Sequence, residues 1–246
     1  ALTASFWEAM AADALNLKGK SDEAFLIKTA ENRPVGYAMK HYSAVGGDSG
    51  SRLQILSQQY QDERSWIRSR FWFNGSEQRF SWTTSIQQIG MGRPREYTLK
   101  LQTDGTVTLS TNTDEDKSFA TDGLLVPELL LPVCAVHLLD SENERAVIDV
   151  VAATGFVVPT IAERIDPQTA LARSEQIAYA VKVDFLNNPN SFEELYFDAN
   201  RRFLGRFERQ PLRRRLWEQT TVERLQALFG EHFRPIGDSA AFVGRR

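Results

Sequence analysis

Apolar and polar residues alternate with a period of two along most of the chain, which is the pattern of strands that bury one face. Gly, Asn, Asp and Pro residues interrupt this alternation at short intervals, and turns between strands require these residue types. Because no long helices separate the alternating segments, they are predicted to pair as an antiparallel meander. The two predicted runs of strands are 24–112 and 145–209, with roughly a dozen strands in all.

Helical patterns are found at the two ends and in the middle of the sequence. Ser5 with Glu8, and Thr220 with Glu223, have the spacing of capping boxes, and each pair is followed by an apolar stripe of helical period. The apolar segment in mid-chain contains Pro132, which does not fit a helix interior, so short helical pieces are predicted there. The predicted helical segments are 5–18, 124–139 and 220–230.

Asn74-Gly75 is the strongest hairpin signal, because both central residues of a type I′ turn need a positive φ. A two-residue turn at this point places Ser69 opposite Phe80 and Arg70 opposite Arg79. We therefore predict a tight hairpin in which two arginines face each other across the strands.

A second hairpin is predicted at Asp104-Gly105. A two-residue loop would place polar residues opposite apolar ones along the two strands. A three-residue loop instead pairs Leu99 with Leu109, so a bulged turn is the better prediction.

These features predict an α+β fold that is predominantly antiparallel β. Its main element is a large curved meander sheet, half-barrel-like, with an N-terminal helix, a short central helical piece and a C-terminal helix. Hydrophobic residues make up 42% and aromatic residues 11% of the 246 residues, which is enough apolar surface for a sizeable core. No repeat or low-complexity linker divides the chain, so a single domain over 1–246 is expected.

Charge and cysteine content narrow the function classes. The formal net charge of −3 gives no general attraction to nucleic acid or to an anionic membrane. The apolar segment 124–139 is too short and too often interrupted to span a membrane. The single cysteine, Cys134, excludes an internal disulfide and a cysteine-based zinc site. We expect no nucleic-acid partner, no membrane span, no metal and no cofactor.

Three segments follow one another in a notable order. They are Arg33-Pro34-Val35-Gly36-Tyr37 before a run of long strands, the apolar piece 124–139, and the hairpin Leu195-Tyr196-Phe197-Asp198-Ala199-Asn200-Arg201-Arg202-Phe203-Leu204. Together they resemble bacterial cell-envelope proteins of the lipoprotein-localisation-carrier type and several uncharacterised periplasmic families, in which a curved antiparallel sheet wraps around helices.

The resemblance implies an apolar cavity for a lipid or another apolar small molecule, and a periplasmic or other extracytoplasmic location. No signal peptide is recognisable, but because the chain opens at Ala1 rather than at a methionine, this absence is weak evidence against an extracytoplasmic location. A cytoplasmic location is the alternative that stays open.

The most distinctive surface pattern belongs to the first hairpin. Trp66, Arg68, Arg70 and Trp72 alternate on one strand, and Arg79 follows on the next. Since like charges directly opposed destabilise a sheet, an anion, a sugar ring or a partner's acidic patch is expected between the tryptophans. The alternative is a ladder of guanidinium groups stacked on indoles in water. We call these five residues the Trp/Arg face and predict that it binds a ligand or a protein partner.

Other candidate sites have simpler interpretations. A second basic cluster is expected to pair with acids such as Glu208 and Glu218 on a solvated strand edge. Glu193 and Glu194 are neighbours in a strand and point to opposite faces, so they cannot share a substrate. The histidines are far apart and lack metal-ligand spacing. The cluster is Arg201, Arg202, Arg206, Arg209, Arg213, Arg214 and Arg215, and the histidines are His41, His137 and His232.

No catalytic signature such as G-x-S-x-G, H-E-x-x-H or a phosphate loop occurs. The leading hypothesis is therefore a non-enzymatic extracytoplasmic or cell-envelope binding protein. It either holds an apolar ligand in the curved sheet or presents the Trp/Arg face to a partner. Two alternatives stay open: a hydrolase-like enzyme that uses His41 with a carboxylate in the sheet concavity, and a structural subunit of an assembly.

Overall fold

The computed structural model describes residues 6–7, 22–45, 52–62, 64–75, 77, 79–90, 92–102, 106–120, 124–172, 174–188 and 190–236. Most of these residues are in strands, as the period of two predicts. The strands are β1 (Glu23–Thr29), β2 (Pro34–Val45), β3 (Arg52–Gln61), β4 (Ser65–Asn74), β5 (Arg79–Gln88), β6 (Arg95–Leu101), β7 (Thr106–Thr111), β8 (Lys117–Ala120), β9 (Leu125–Pro127), β10 (Arg145–Val151), β11 (Val157–Ile165), β12 (Tyr179–Phe185), β13 (Phe192–Phe197), β14 (Phe203–Gln210) and β15 (Arg213–Gln219).

The α-helices are α1 (Leu131–Asp140) and α2 (Val222–Phe229). Three short 3-10 turns accompany them, at Glu128–Leu130, Pro167–Thr169 and Gly230–His232. Within the described residues, no helix has the length and hydropathy needed to cross a membrane.

The strands form a 15-stranded sheet in the order β8-β7-β6-β5-β4-β3-β2-β1-β15-β14-β13-β12-β11-β10-β9. Successive strands from β2 to β8 and from β10 to β15 pair antiparallel. The short strand β9 is parallel to β10. The predicted fold class, a predominantly antiparallel meander with few helices, is confirmed.

The second run of strands is longer than predicted. It was expected to end at 209, whereas β15 follows at Arg213–Gln219 and pairs with β14. Arg215 and Trp217 are the buried residues of β15. Because one of them is charged, β15 lacks the alternation of apolar and polar residues by which a strand is recognised in the sequence. The β13–β14 hairpin is therefore not the final one.

The helices agree with the prediction in part. The central piece is helical at Glu128–Leu130 and in α1, and Pro132 lies in the first turn of α1, where its missing N–H is tolerated. Its predicted start is wrong, because Leu125–Pro127 pair with β10 and form β9. The N-cap of α2 is Thr221 rather than Thr220, and its hydroxyl accepts from the Arg224 N–H at 3.3 Å. The predicted helix 5–18 lies outside the described residues apart from 6–7.

The chain divides into two compact units. The first contains Ile27–Pro34 and Thr121–Gln219, and therefore α1 and β9 to β15. The second contains Val35–Ala120, which carries β2 to β8, together with the start of β1 and the chain from Thr220, which includes α2. The expectation of one domain over 1–246 stays a prediction.

In the first unit, α1 lies on one face of the sheet. The Arg164 guanidinium of β11 donates to the carbonyl oxygens of Leu138, at 2.7 Å, and Ser141, at the C-terminal end of α1. Arg164 shares that face with the fully buried Val181 and Leu195. The face without α1 is covered by the segment around Ala170.

In the second unit, one face of the sheet is buried and apolar. Trp7 stacks on Phe73 and Phe80, with ring centroids 5.2 and 5.8 Å apart. The other face carries α2, whose Leu225 is buried in an apolar cluster with residues of β1, β2 and β3. One row of the buried face, in register across β2 to β6, is Tyr42, Ile55, Phe71, Trp82 and Leu99.

The first hairpin does not have the predicted register. Asn74 pairs with Arg79 and Ser69 pairs with Thr84, so the connection is residues 75–78 rather than a two-residue turn. Arg70 faces Thr83 and not Arg79. This register is favoured because it pairs apolar residues with each other and brings the hydroxyls of Ser69 and Thr84 to 2.9 Å.

The second hairpin has the predicted register. Leu99 lies opposite Leu109, and the apolar alternation is preserved. The turn residue Asp104 and its neighbour Gly105 lie outside the described residues.

Candidate binding face

The Trp/Arg face lies on the side of β4 that is opposite the buried row. Directly opposed residues of an antiparallel pair share a face, so the register defines the surroundings of each side chain. Trp72 is 37% exposed, and Trp66, Arg68 and Arg70 are half-buried. The residues opposite these four are Tyr60, Gln58, Leu56 and Gln54 on β3 and Gln87, Ser85, Thr83 and Ser81 on β5. All eight are uncharged, and the acid Glu96 lies one strand further out, opposite Ser85.

Arg79 shares this face but lies at its far end. It is opposite Asn74, and its guanidinium is 3.7 Å from the Glu77 carboxylate. Four positions along β4 separate Asn74 from Arg70, a distance of about 13 Å at the usual rise of a strand. The direct opposition of Arg70 and Arg79, from which an intervening anion was predicted, is therefore wrong, although all five residues share one face.

At the other end, the chain after α2 crosses the Trp/Arg face. The Tyr37 hydroxyl donates to the His232 carbonyl oxygen at 3.1 Å and accepts from the Arg234 N–H at 3.0 Å. The amide of Gln58, a side chain that is almost fully buried, donates to the Arg234 carbonyl oxygen at 2.5 Å. These bonds fix the segment around 232–234 above β2 and β3.

This segment adds a cation that the sequence analysis did not single out. The guanidinium carbon of Arg234 lies 4.7 Å from the centre of the Trp66 ring, and the His232 ring stacks on Tyr60 at 5.6 Å. The cation on Trp66 thus comes from a loop far along the chain. Only the tertiary fold brings it there, so no pattern in the sequence marks it.

Arg68 lies at the same end of the Trp/Arg face as Trp66 and Arg234, because it is directly opposite Gln58. Burial, and then the positive charge of Arg234, lower the pKa of Arg68. In the described part of the chain, neither Arg68 nor Arg234 forms an ion pair with a carboxylate. The buried indole N–H of Trp66 also has no acceptor among the residues that the structure describes.

The second basic cluster is divided between different environments. Arg206 is buried on the α1 face of the first unit, 3.2 Å from Glu193 and 2.6 Å from Glu208, with its guanidinium carbon 3.9 Å from the Trp217 ring. The expected pairing of Glu208 with a local arginine is confirmed. The prediction that Glu208 lies on a solvated strand edge is wrong, since its strand, β14, lies between β13 and β15.

The second acid expected to pair with an arginine of this cluster, Glu218, has a different partner. Glu218 pairs with Lys28 of β1 at 2.5 Å rather than with an arginine. Arg201 pairs with Asp140 at the end of α1 and lies over the Tyr179 ring. Arg201 and Arg206 thus make separate structural contacts and do not belong to one basic surface.

Glu193 is in an environment that disfavours its charge. Burial raises the pKa of the Glu193 carboxyl to about 8, and the neighbouring carboxylates of Glu208 and Glu128 act in the same direction, whereas Arg206 opposes them. At neutral pH this carboxyl therefore retains its proton to a large extent.

Glu194 has a separate role on the opposite face. Its carboxylate accepts from the Tyr196 hydroxyl and from the Leu171 N–H, both at 2.8 Å, and the Tyr196 oxygen accepts from the Ala172 N–H at 3.2 Å. Burial and the Glu194 charge raise the pKa of Tyr196. The two glutamates thus point to opposite faces, as predicted, and Glu194 anchors a loop.

The histidines have no common site. The Nδ1 atom of His41 is 2.5 Å from a carboxylate oxygen of Asp22, and both side chains are largely exposed. Among the described residues, no nucleophile hydrogen-bonds to His41. The described residues also contain no group of three His, Cys, Asp or Glu side chains that could hold a metal ion.

Comparisons with known proteins bear on the fold. No family model matches the chain. No curated protein matches it either. Among solved structures, the chain is similar to a beta-barrel-like protein of the domain of unknown function DUF1849 from Brucella abortus, with a TM-score of 0.53 and 8% sequence identity. The match covers 81% of this chain and 95% of that chain.

At this identity the likeness concerns the fold alone. The neighbour's description as beta-barrel-like agrees with the curved antiparallel sheet that the sequence predicts. The likeness does not extend to the lipoprotein-carrier type specifically, so that part of the resemblance stays a prediction.

Proposed function

We propose that this protein is a non-catalytic binding protein of the cell envelope that presents the Trp/Arg face to an anionic ligand. The observation that carries the proposal is the register of β4, in which every residue directly opposite Trp66, Arg68, Arg70 and Trp72 is uncharged. Arginines on a sheet are commonly stabilised by acids on the neighbouring strands. Within the described residues Arg68 makes no ion pair with a carboxylate, and a bound anion would take the place of that counter-charge.

The side chains suit such a ligand. Guanidinium groups bind phosphate or carboxylate oxygens through two parallel hydrogen bonds. The Trp72 indole, exposed at the outer end of the row, offers a flat surface for a ring or an apolar group. Arg234 lies over the Trp66 ring and adds a further positive charge to this face.

The alternative of an apolar ligand has less support in the described residues. The buried face of the second unit is filled by its own side chains, with Trp7 stacked on Phe73 and Phe80. An extracytoplasmic location is supported only by the resemblance to envelope proteins, and we retain it as part of the proposal.

The test uses three anionic probes of different chemistry: phosphatidylglycerol vesicles, polyglutamate and heparin. Binding is measured for the wild type, Arg70→Glu and Trp72→Ala. Arg95→Glu is the matched control, because Arg95 is exposed in the same unit and shares the opposite face with Ile67 and Ile86. We expect wild-type binding to at least one probe, weakened by salt and reduced about tenfold or more by Arg70→Glu.

Two results would contradict the proposal. One is no binding of the wild type to any of the three probes. The other is equal binding of Arg70→Glu and Arg95→Glu, which would show that the attraction is general and does not involve this face.

A further inference from the structure

The corner of the Trp/Arg face beside Trp66 contains two guanidinium groups that the fold brings together. Arg68 belongs to β4, and Arg234 belongs to the segment that follows α2. Gln58 links them, because its side chain donates to the Arg234 carbonyl oxygen while its backbone lies directly opposite Arg68 in register. Opposed residues are about 5 Å apart, so both arginines border the same small area.

Two cations held this close repel each other, and the lowered pKa of Arg68 has the Arg234 charge among its causes. In the part of the chain that the structure describes, no carboxylate forms an ion pair with either of them. Among the described residues, the buried Trp66 indole N–H also has no acceptor. Buried donors are nearly always satisfied in folded proteins, so a bound acceptor would complete the contacts of this group.

We propose that Arg68 and Arg234 together bind a phosphate group of a phosphate ester. One guanidinium already satisfies a carboxylate through two parallel bonds, whereas a phosphate has additional oxygens for a second guanidinium. This inference rests on the proposed function and specifies its ligand. The Arg234 N–H donates to the Tyr37 hydroxyl and the Arg234 carbonyl oxygen accepts from Gln58, so part of the ordering entropy is lost before the phosphate binds.

The experiment compares the phosphate group in two sources. Glycerol 3-phosphate is titrated by calorimetry, and phosphatidylglycerol vesicles are tested by co-sedimentation, with glutarate as the dicarboxylate comparison. The variants are Arg68→Gln, Arg234→Gln and the double variant. Arg95→Gln is the matched control, because Arg95 is exposed in the same unit and lies opposite Ile86, on the face that does not carry Arg68. Circular dichroism verifies that each variant is folded.

We expect the wild type to bind a phosphate probe more tightly than glutarate. Each single variant should weaken that binding about tenfold or more, and Arg95→Gln should leave it unchanged. If both arginines contact one phosphate, the double variant loses less than the sum of the two single losses. Binding to the vesicles alone would identify a lipid headgroup as the source, and binding to glycerol 3-phosphate alone would identify a soluble ester.

The inference is overturned if the wild type binds neither phosphate probe, if it prefers glutarate, or if Arg68→Gln and Arg234→Gln bind as the wild type does. The last result, together with a loss in Arg70→Glu, would leave the proposed function intact and move the site toward Trp72. If none of these variants loses binding, both proposals are wrong.

Discussion

The buried carboxyl of Glu193 predicts a pH dependence of stability that one substitution should abolish. Its pKa is raised from 4.5 to about 8, chiefly by burial. Between these two values the folded chain binds a proton that the unfolded chain has released. The contribution of Glu193 to stability is therefore complete below about pH 4.5 and is lost as the pH rises toward 8.

The size of the effect follows from this shift. One proton bound in the folded state alone changes the free energy of unfolding by about 1.4 kcal/mol per pH unit. From pH 5 to pH 7 the wild type should thus lose about 3 kcal/mol relative to Glu193→Gln, because glutamine resembles the protonated acid and does not titrate. Arg206 retains its 2.6 Å ion pair with Glu208 in this variant, so it does not become an unpaired buried charge.

The assay is urea denaturation followed by far-ultraviolet circular dichroism at pH 5, 6 and 7. Val183→Ala is the control: Val183 is buried directly opposite Glu193, and its truncation should lower stability by about 2 kcal/mol at every pH. Parallel pH profiles for the wild type and Glu193→Gln would refute the reasoning. So would a variant that becomes less stable than the wild type as the pH rises.

Two further predictions concern the first unit. Gly205→Ala should lower the free energy of unfolding by about 2 kcal/mol or more, because an added Cβ would lie 2.0 Å from the Trp217 carbonyl oxygen, at a residue with φ of 151°; urea denaturation measures it, and wild-type stability would contradict it. Tyr196→Phe removes the hydroxyl that bonds Glu194 and the Ala172 N–H. Hydrogen exchange at Ala172 should rise about tenfold, and an unchanged rate there would show that the loop does not depend on this hydroxyl.

The fold could be predicted from sequence because alternation determines which side chains share a face. The first hairpin shows how far this extends. The predicted pairing of Ser69 with Phe80 and the observed pairing of Ser69 with Thr84 differ by an even number of residues. An even shift leaves every side chain on the same face. The five residues of the Trp/Arg face therefore share one face, as the sequence predicts. The predicted residues opposite each arginine are wrong.

The remaining parts depend on contacts between residues that are distant in sequence. Arg234 reaches Trp66 only because Tyr37 and Gln58 bind the chain after α2. The sequence pattern did not predict β15, because one of its buried residues is Arg215 and a charged residue normally indicates an exposed position. A buried charged residue thus hides the alternation that makes a strand recognisable.

Glu193 and Glu194 also bear on how the strands find their partners during folding. Each has its own set of contacts outside β13, Arg206 on the α1 face and the Leu171 N–H on the other. A shift of β13 by one residue would exchange the two faces and deprive both carboxyls of their partners at once. Apolar neighbours such as Leu195 would tolerate that error far better, so the adjacent acids give this strand a means of rejecting misaligned pairings.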